Sequence, residues 1–169
     1  MQAPTLETER LRLRPWRNDD LDAFAAFTAD PVLTRFVGGV FSRDDTWRRM
    51  AMLVGHWTLR GFGNWVIEDK ASGAFAGYSG LWKPEGWLEP EVMWGLASAF
   101  QGKGYATEAA ERARAYAYKE LRWKTIVSYI AAENKPSQAV AKRLGAERDG
   151  TFEIRGVVVD VWRHPANVN

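Results

Sequence analysis

Six consecutive residues, Gln101-Gly102-Lys103-Gly104-Tyr105-Ala106, join an apolar strand-like run from Glu91 to Ala97 to an alanine-rich helical pattern that starts near Tyr105. That junction reads as an anion site. Glycines at 102 and 104 let the backbone approach a ligand with no Cβ in the way. The first N–H groups of a helix, unpaired within it and at the positive end of its dipole, point at negative charge. A pyrophosphate suits this chemistry, although a plain glycine turn before a helix would use the same residues. Two better-known phosphate loops do not match: the Walker pattern asks for four residues between its first Gly and a Gly-Lys-Ser/Thr, and the dinucleotide fingerprint asks for a third Gly where Thr107 stands.

The elements that must hold this loop follow from periodicity. Leu11 to Trp16 reads as a strand, ended by Pro15 and the Asn18-Asp19-Asp20 cluster, which offers helix caps. A helix from about Asp20 to Ala29 stops before Pro31, and a second from about Arg43 to Leu59 ends at Gly61. Trp65–Glu68, Ala74–Leu81 and Glu91–Ala97 read as strands of a meander, antiparallel by their short connections. Ala106, Ala109, Ala110, Ala113, Ala117 and Leu121 recur at helical spacing, a narrow small-residue face able to lie close on a sheet. Lys124–Ile130 is then a strand parallel to Glu91–Ala97, because a helix crosses between them. A short helix, Ser137–Leu144, stops at Gly145, and Val157–Trp162 completes the sheet. The fold class is α+β with a mixed, mainly antiparallel sheet.

The 101–106 segment resembles the acyl-CoA loop of the GNAT acetyltransferase superfamily, in which a Gln or Arg precedes a Gly-x-Gly or Gly-x-Ala that opens a helix. The stretches Thr8-Glu9-Arg10-Leu11-Arg12-Leu13-Arg14-Pro15-Trp16, Gly104-Tyr105-Ala106-Thr107-Glu108-Ala109, and Asn134-Lys135-Pro136-Ser137 through Lys142-Arg143-Leu144-Gly145-Ala146 follow in that superfamily's order. Together they are similar to its branch of ribosomal-protein N-terminal alanine acetyltransferases, over Leu6 to Arg163. The resemblance implies a GNAT-like fold whose sheet splays at two parallel strands, acetyl-CoA as acyl donor, and direct transfer to a primary amine in a ternary complex.

The same resemblance assigns roles. Backbone amides of Gln101, Gly102, Lys103, Gly104, Tyr105 and Ala106 would hold the cofactor's pyrophosphate. Leu96 would face the pantetheine arm, and Asn134 would hydrogen-bond it. Lys103 and Arg143 (or Lys142) could meet phosphate oxygens. An attacking amine is protonated at neutral pH and must first lose a proton. Glu91 corresponds to the Glu that opens the matching family strand and is the candidate base, directly or through a water, with Glu89 as its alternate. An exposed charge beside a turn is the plainer reading of Glu91. Many superfamily members carry a Tyr seven residues after the Asn, where this chain has Ala141; Ser137, three residues after Asn134, matches the serine that related enzymes place near the thiol. Ser137 could instead cap the helix, and Asn134 could simply turn the chain before Pro136.

Composition bounds the alternatives. At 169 residues with 46% apolar content, one domain over residues 1–169 can build a sizeable core. The net charge of +2 comes from 23 basic and 21 acidic residues interleaved along the chain, which gives no basic patch for nucleic acid. Arg10, Arg12 and Arg14 alternate with leucines as a strand with one wet face would. No segment is long and apolar enough for a membrane span or reads as a signal, so a cytoplasmic location is expected. With no Cys, disulfides and thiolate sites are absent, and His56 and His164 lack nearby carboxylates, so no metal site is expected. Trp57, Trp65, Trp82, Trp87 and Trp94 fall where they could border an acceptor cleft. The acceptor is a peptide N-terminus, a polyamine or an aminoglycoside, and the chain acts as a monomer or homodimer. The competing reading is a noncatalytic acyl-CoA-binding regulatory module.

Overall fold

The computed structural model describes residues 3–166. Eight strands form one sheet in the order β1-β2-β3-β4-β5-β6-β8-β7. They are β1 (Leu6–Glu7), β2 (Leu11–Arg14), β3 (Asn64–Asp69), β4 (Phe75–Trp82), β5 (Glu91–Leu96), β6 (Val127–Ile130), β7 (Glu147–Ile154) and β8 (Val157–Arg163). Every neighbouring pair is antiparallel except β5 with β6, joined through the crossover helix α3 (Tyr105–Lys119). The other helices are α1 (Leu21–Ala29), α2 (Arg43–Arg60) and α4 (Lys135–Arg143).

The sheet carries a core on each face. On one, the alanines of α3 expected from their spacing (Ala106, Ala109, Ala110, Ala113, Ala117) lie against Leu11, Leu13, Trp65, Ile67, Leu81 and Val92. Small side chains let the helix axis come close, so strand residues fill the space between. On the other, α1 and α2 bury Phe24, Phe27, Met50 and Leu53 against Trp16, Val66, Tyr78 and Trp82. Phe24 and Phe27 both meet the Tyr78 ring edge-on, at 5.9 and 5.5 Å, and burial of each phenylalanine contributes about 1.5–3 kcal/mol. The helix ends obey the capping rules: the Ser42 hydroxyl accepts the Asp45 amide to start α2, and Gly61 ends it in the left-handed conformation.

Three expectations need correcting. The strand beginning at Leu11 stops at Arg14, and Arg14 is buried rather than wet, held by Asp20 and Glu68. β8 does not end the sheet; it lies between β6 and the unanticipated β7. β7 reads Glu-Arg-Asp-Gly-Thr-Phe-Glu-Ile, is exposed along most of its length and shifts register between Arg148 and Thr151, so it shows no alternating pattern. Finally, α4 begins two residues early, at Lys135, and α3 ends at Lys119.

Candidate active site

The parallel junction decides the geometry. β5 and β6 pair at one position, Glu91 with Val127, and then part. Past that point the Ser128 hydroxyl, 2.6 Å from the Val92 carbonyl oxygen, donates the hydrogen bond a neighbouring strand would otherwise supply. By strand alternation the Trp94 N–H and C=O point to the same side, and among the described residues β6 offers them no partner. An unpaired stretch of strand backbone therefore runs from the junction toward the 101–106 loop.

At that loop, Gly102 and Gly104 have φ of +73° and +81°, and Gly104 is the N-cap of α3. The glycines are required by conformation, because side-chain-bearing residues are strained there. Among the described residues no protein acceptor takes the amides of residues 102–107; the next, Glu108, bonds to the Gly104 carbonyl. The side chains around them are occupied in bracing. Tyr105 donates to Asp69 at 2.6 Å, and the Arg10 guanidinium lies 4.7 Å from the Tyr105 ring centroid. Arg10 also donates to the Lys103 carbonyl at 2.8 Å and to Glu108 at 2.7 Å, turning that carbonyl away from the free amides. Gln101 donates to the Leu96 carbonyl at 3.2 Å, and the Lys103 ammonium sits over the Phe100 ring. The result is a cradle of backbone donors on a fixed frame.

At the opposite end of the gap, Glu91 is 7% exposed. The Trp87 indole N–H donates to one carboxyl oxygen at 2.9 Å and the Tyr129 amide to the other at 3.3 Å. Burial pushes its pKa up from 4.5 to about 7, against those two hydrogen bonds, which favour the ionised form. Glu89, two residues away, has the opposite surroundings: Arg163 grips both its oxygens, at 3.0 and 2.9 Å, and holds its pKa below the usual carboxylate value. Of the two acids, Glu91 alone combines burial with a proton affinity matched to neutral pH.

The comparisons with known proteins agree with this geometry. Residues 10–147 match the profile of the family described as "Acetyltransferase (GNAT) domain". The chain belongs to the GNAT acetyltransferase family. It is thereby a transferase enzyme of the acetyltransferase class. A crystal structure of an acetyltransferase from Agrobacterium tumefaciens superposes with a TM-score of 0.88 at 33% identity, over 98% of this chain and 96% of that one. YnaD of Bacillus subtilis, described as an uncharacterized N-acetyltransferase, is 27% identical over 88% of this chain and 85% of its own length. A ribosomal-protein-S5-alanine acetyltransferase from Vibrio fischeri shares the fold, with a TM-score of 0.71 at 19% identity over 96% of this chain and 95% of that one.

Within the GNAT frame the remaining candidates take definite places. Leu96 turns its side chain into the α3-side core, so only its backbone borders the gap. The Asn134 side-chain oxygen accepts the Ser137 amide at 3.3 Å; Asn134, not Ser137, caps α4. The half-buried Ser137 hydroxyl has no protein partner among the described residues. Ala141 is fully buried against Ile130, Ala146 and Trp162, which fills the place of the superfamily tyrosine with core packing. Arg143 is exposed in the last turn of α4. Of the five tryptophans, Trp87 hydrogen-bonds the candidate base; Trp82, the cross-strand partner of Glu91, stacks on His56 at 4.3 Å, Trp57 and Trp65 are core, and Trp94 faces α3. Both histidines are structural. His56 meets the Phe62 carbonyl, and His164, kept neutral by burial and the nearby Arg114 with a pKa of about 3, hydrogen-bonds Ser128. Among the described residues no helix is long and apolar enough to cross a membrane.

Sequence reasoning placed Trp87 beside an acceptor cleft but missed that its indole, with the Tyr129 amide, orients Glu91, and it missed Arg10, which fixes the loop. The arginine-leucine alternation could have flagged Arg10 only by its place in the family pattern.

Proposed function

We propose that this acetyltransferase moves the acetyl group of acetyl-CoA to a primary amine by direct attack in a ternary complex, with Glu91 as the base. The observation that carries the reading is Glu91 itself: buried, oriented by two N–H donors, poised near pH 7, and set where β5 and β6 part.

In this reading the pyrophosphate rests on the free amides of residues 102–107, with Lys103 and Arg143 toward phosphate oxygens. The pantetheine arm lies along Leu96 and Trp94 as a further strand, flanked by Asn134. The amine arrives as an ammonium of pKa about 8–10, and Glu91 removes a proton. The nitrogen lone pair attacks the thioester carbon, the N–C bond forms and the C–S bond breaks. Coenzyme A departs as a thiolate, hydrogen-bonded by Ser137, and takes up the second proton that the nitrogen sheds as the amide forms. A carboxyl with a pKa near 7 is about half ionised at neutral pH, yet basic enough to compete for an ammonium proton. The acceptor class is a peptide N-terminus or a small amine such as a polyamine or aminoglycoside.

Thiol release from acetyl-CoA across an amine panel tests this. Glu91→Gln lowers kcat by about 100-fold or more while acetyl-CoA affinity changes little, and kcat/KM for the wild type rises with pH through a midpoint near 7. Glu89→Gln leaves the chemical step within a few-fold. Equal rates for Glu91→Gln and wild type would remove Glu91 from the base role.

A further inference from the structure

Where β5 and β6 part, one hydrogen bond stands in the place of another. In the parallel ladder that pairs Glu91 with Val127, the Val127 amide donates to the Pro90 carbonyl at 3.0 Å. The next rung of such a ladder would run from the Tyr129 amide to the Val92 carbonyl. Instead the Ser128 hydroxyl takes the Val92 oxygen at 2.6 Å, and the Tyr129 amide turns to the Glu91 carboxyl at 3.3 Å. The serine thus replaces a backbone donor that serves the candidate base.

The serine is itself set from behind. A guanidinium can only donate, so the 3.2 Å contact between Arg114 Nη1 and His164 Nδ1 leaves Nδ1 without a proton. The ring is neutral, and its proton therefore sits on Nε2, which donates to the Ser128 oxygen at 2.9 Å. The single Ser128 proton is then free for Val92. All three side chains are buried, and the His164 amide, on the Ile126 carbonyl at 3.1 Å, fixes the ring just beyond β8. Among the described residues two arginines are buried. Arg14 meets two acids, Asp20 and Glu68, whereas Arg114 meets none and donates only to the Leu144 carbonyl and His164. A buried cation without an acid costs stability; what Arg114 supplies is a fixed donor that selects the tautomer of His164.

We propose that Ser128 is a positioning residue for acetyl transfer: backed by His164 and Arg114, its hydroxyl occupies the Val92 carbonyl and releases the Tyr129 amide to orient the Glu91 carboxyl. This rests on the reading of Glu91 as the base and adds the device that holds it. Without the hydroxyl, the Tyr129 amide closes one more rung of the ladder, and Glu91 keeps only the Trp87 indole. A carboxylate that loses an N–H donor is harder to ionise.

The test follows the full chain by NMR with 15N-labelled histidine, tyrosine and tryptophan. In the wild type His164 carries its proton on Nε2, and the Tyr129 amide and Trp87 indole resonances both shift with pH through a midpoint near 7, which Glu91→Gln abolishes. The phenols of Tyr78 and Tyr129, which sense the Glu91 charge, are pushed up by burial and stay protonated across that range. In Ser128→Ala the Tyr129 response is lost, and the Trp87 midpoint rises by about one pH unit, the worth of one hydrogen bond to a charged group. With the best acceptor of the amine panel, kcat falls about 10-fold while acetyl-CoA affinity changes little. Ser128→Thr, which keeps the hydroxyl, returns both toward the wild type. A Ser128→Ala protein that melts lower but keeps the wild-type midpoint and kcat has lost only structure, and the proposal falls. If Ser128→Ala does not fold, the wild type decides: His164 protonated on Nδ1, or a Tyr129 amide blind to the titration of Glu91, overturns the proposal. Glu91→Gln at the wild-type rate removes the base reading, and this one with it; a slow Glu91→Gln beside an unaltered Ser128→Ala overturns this one alone.

Discussion

Around the start of α3 the side chains are taken up by the frame. Arg10, Glu108, Tyr105 and Asp69 bond to one another, and what faces outward is a row of backbone amides. At the far end of β5 a side chain takes that part: the Glu91 carboxyl, held by the Trp87 indole and the Tyr129 amide, with its pKa raised by burial to about 7. A backbone cradle suits a donor whose phosphates are always the same, since it asks only for left-handed glycines and a helix start. A buried side chain suits a chemical step, because one substitution there alters charge without moving the fold.

The largest effect that could break this contrast is on the acceptor side. Glu91 has its pKa raised by folding, from 4.5 to about 7, so the folded state holds a proton that the unfolded chain has already released. Its contribution is therefore fully present below pH 4.5, is lost as pH rises to about 7, and leaves the protein roughly 3 kcal/mol less stable above that. Glu91→Gln, neutral throughout, avoids the loss. Its melting temperature relative to wild type should climb between pH 4.5 and 7 and level off about 5–10 °C higher. A difference that stays flat across that range would mean that Glu91 is solvated, and the contrast between the two ends of the cleft would collapse.

That asymmetry also explains what could be read from the chain in advance. The glycine loop that opens α3 was legible, because Gly102 and Gly104 with a following alanine helix form a local pattern. The helices and inner strands were legible for the same reason, since Phe24 and Phe27, or the alanines of α3, repeat at the period of the element that buries them. β7 was not, because an exposed edge strand broken by Gly150 has no buried face to impose a pattern. Nor was the setting of Glu91. Trp87 and Tyr129 come from a loop and β6, and only the tertiary fold brings the indole of one and the amide of the other to its carboxyl. Glu89 and Glu91, two residues apart, could be ranked only once Arg163 was seen to hold the first.

A smaller effect sharpens the donor side. Gly104→Val places a β-branched residue at φ +81°, with its Cβ 3.4 Å from the Arg10 guanidinium. The strain costs about 1–2 kcal/mol. Relieving it rotates the loop amides, so acetyl-CoA affinity, read by titration, falls by about 10-fold while the acceptor KM is little changed. Loss of stability with intact acetyl-CoA binding would show that the amides of residues 102–107 are not the cofactor's anchor.

The smallest effects separate two neighbours on α4 that sequence reasoning could not. Asn134 caps the helix, so Asn134→Ala lowers stability by about 1 kcal/mol whatever else it does. The Ser137 hydroxyl caps nothing, and its removal leaves the Ser137 amide still bonded to Asn134. Ser137→Ala should therefore melt with the wild type. If its hydroxyl stabilises the departing thiolate, kcat falls, but only by about 3- to 10-fold, the worth of a single hydrogen bond to a leaving group that is already good. The fall should also grow when the acyl donor is replaced by an oxygen ester analogue, whose alkoxide needs that hydrogen bond more. A Ser137→Ala enzyme with unchanged kcat on both donors would leave thiolate departure unassisted by α4, and Glu91 would then be the one side chain that the chemical step requires.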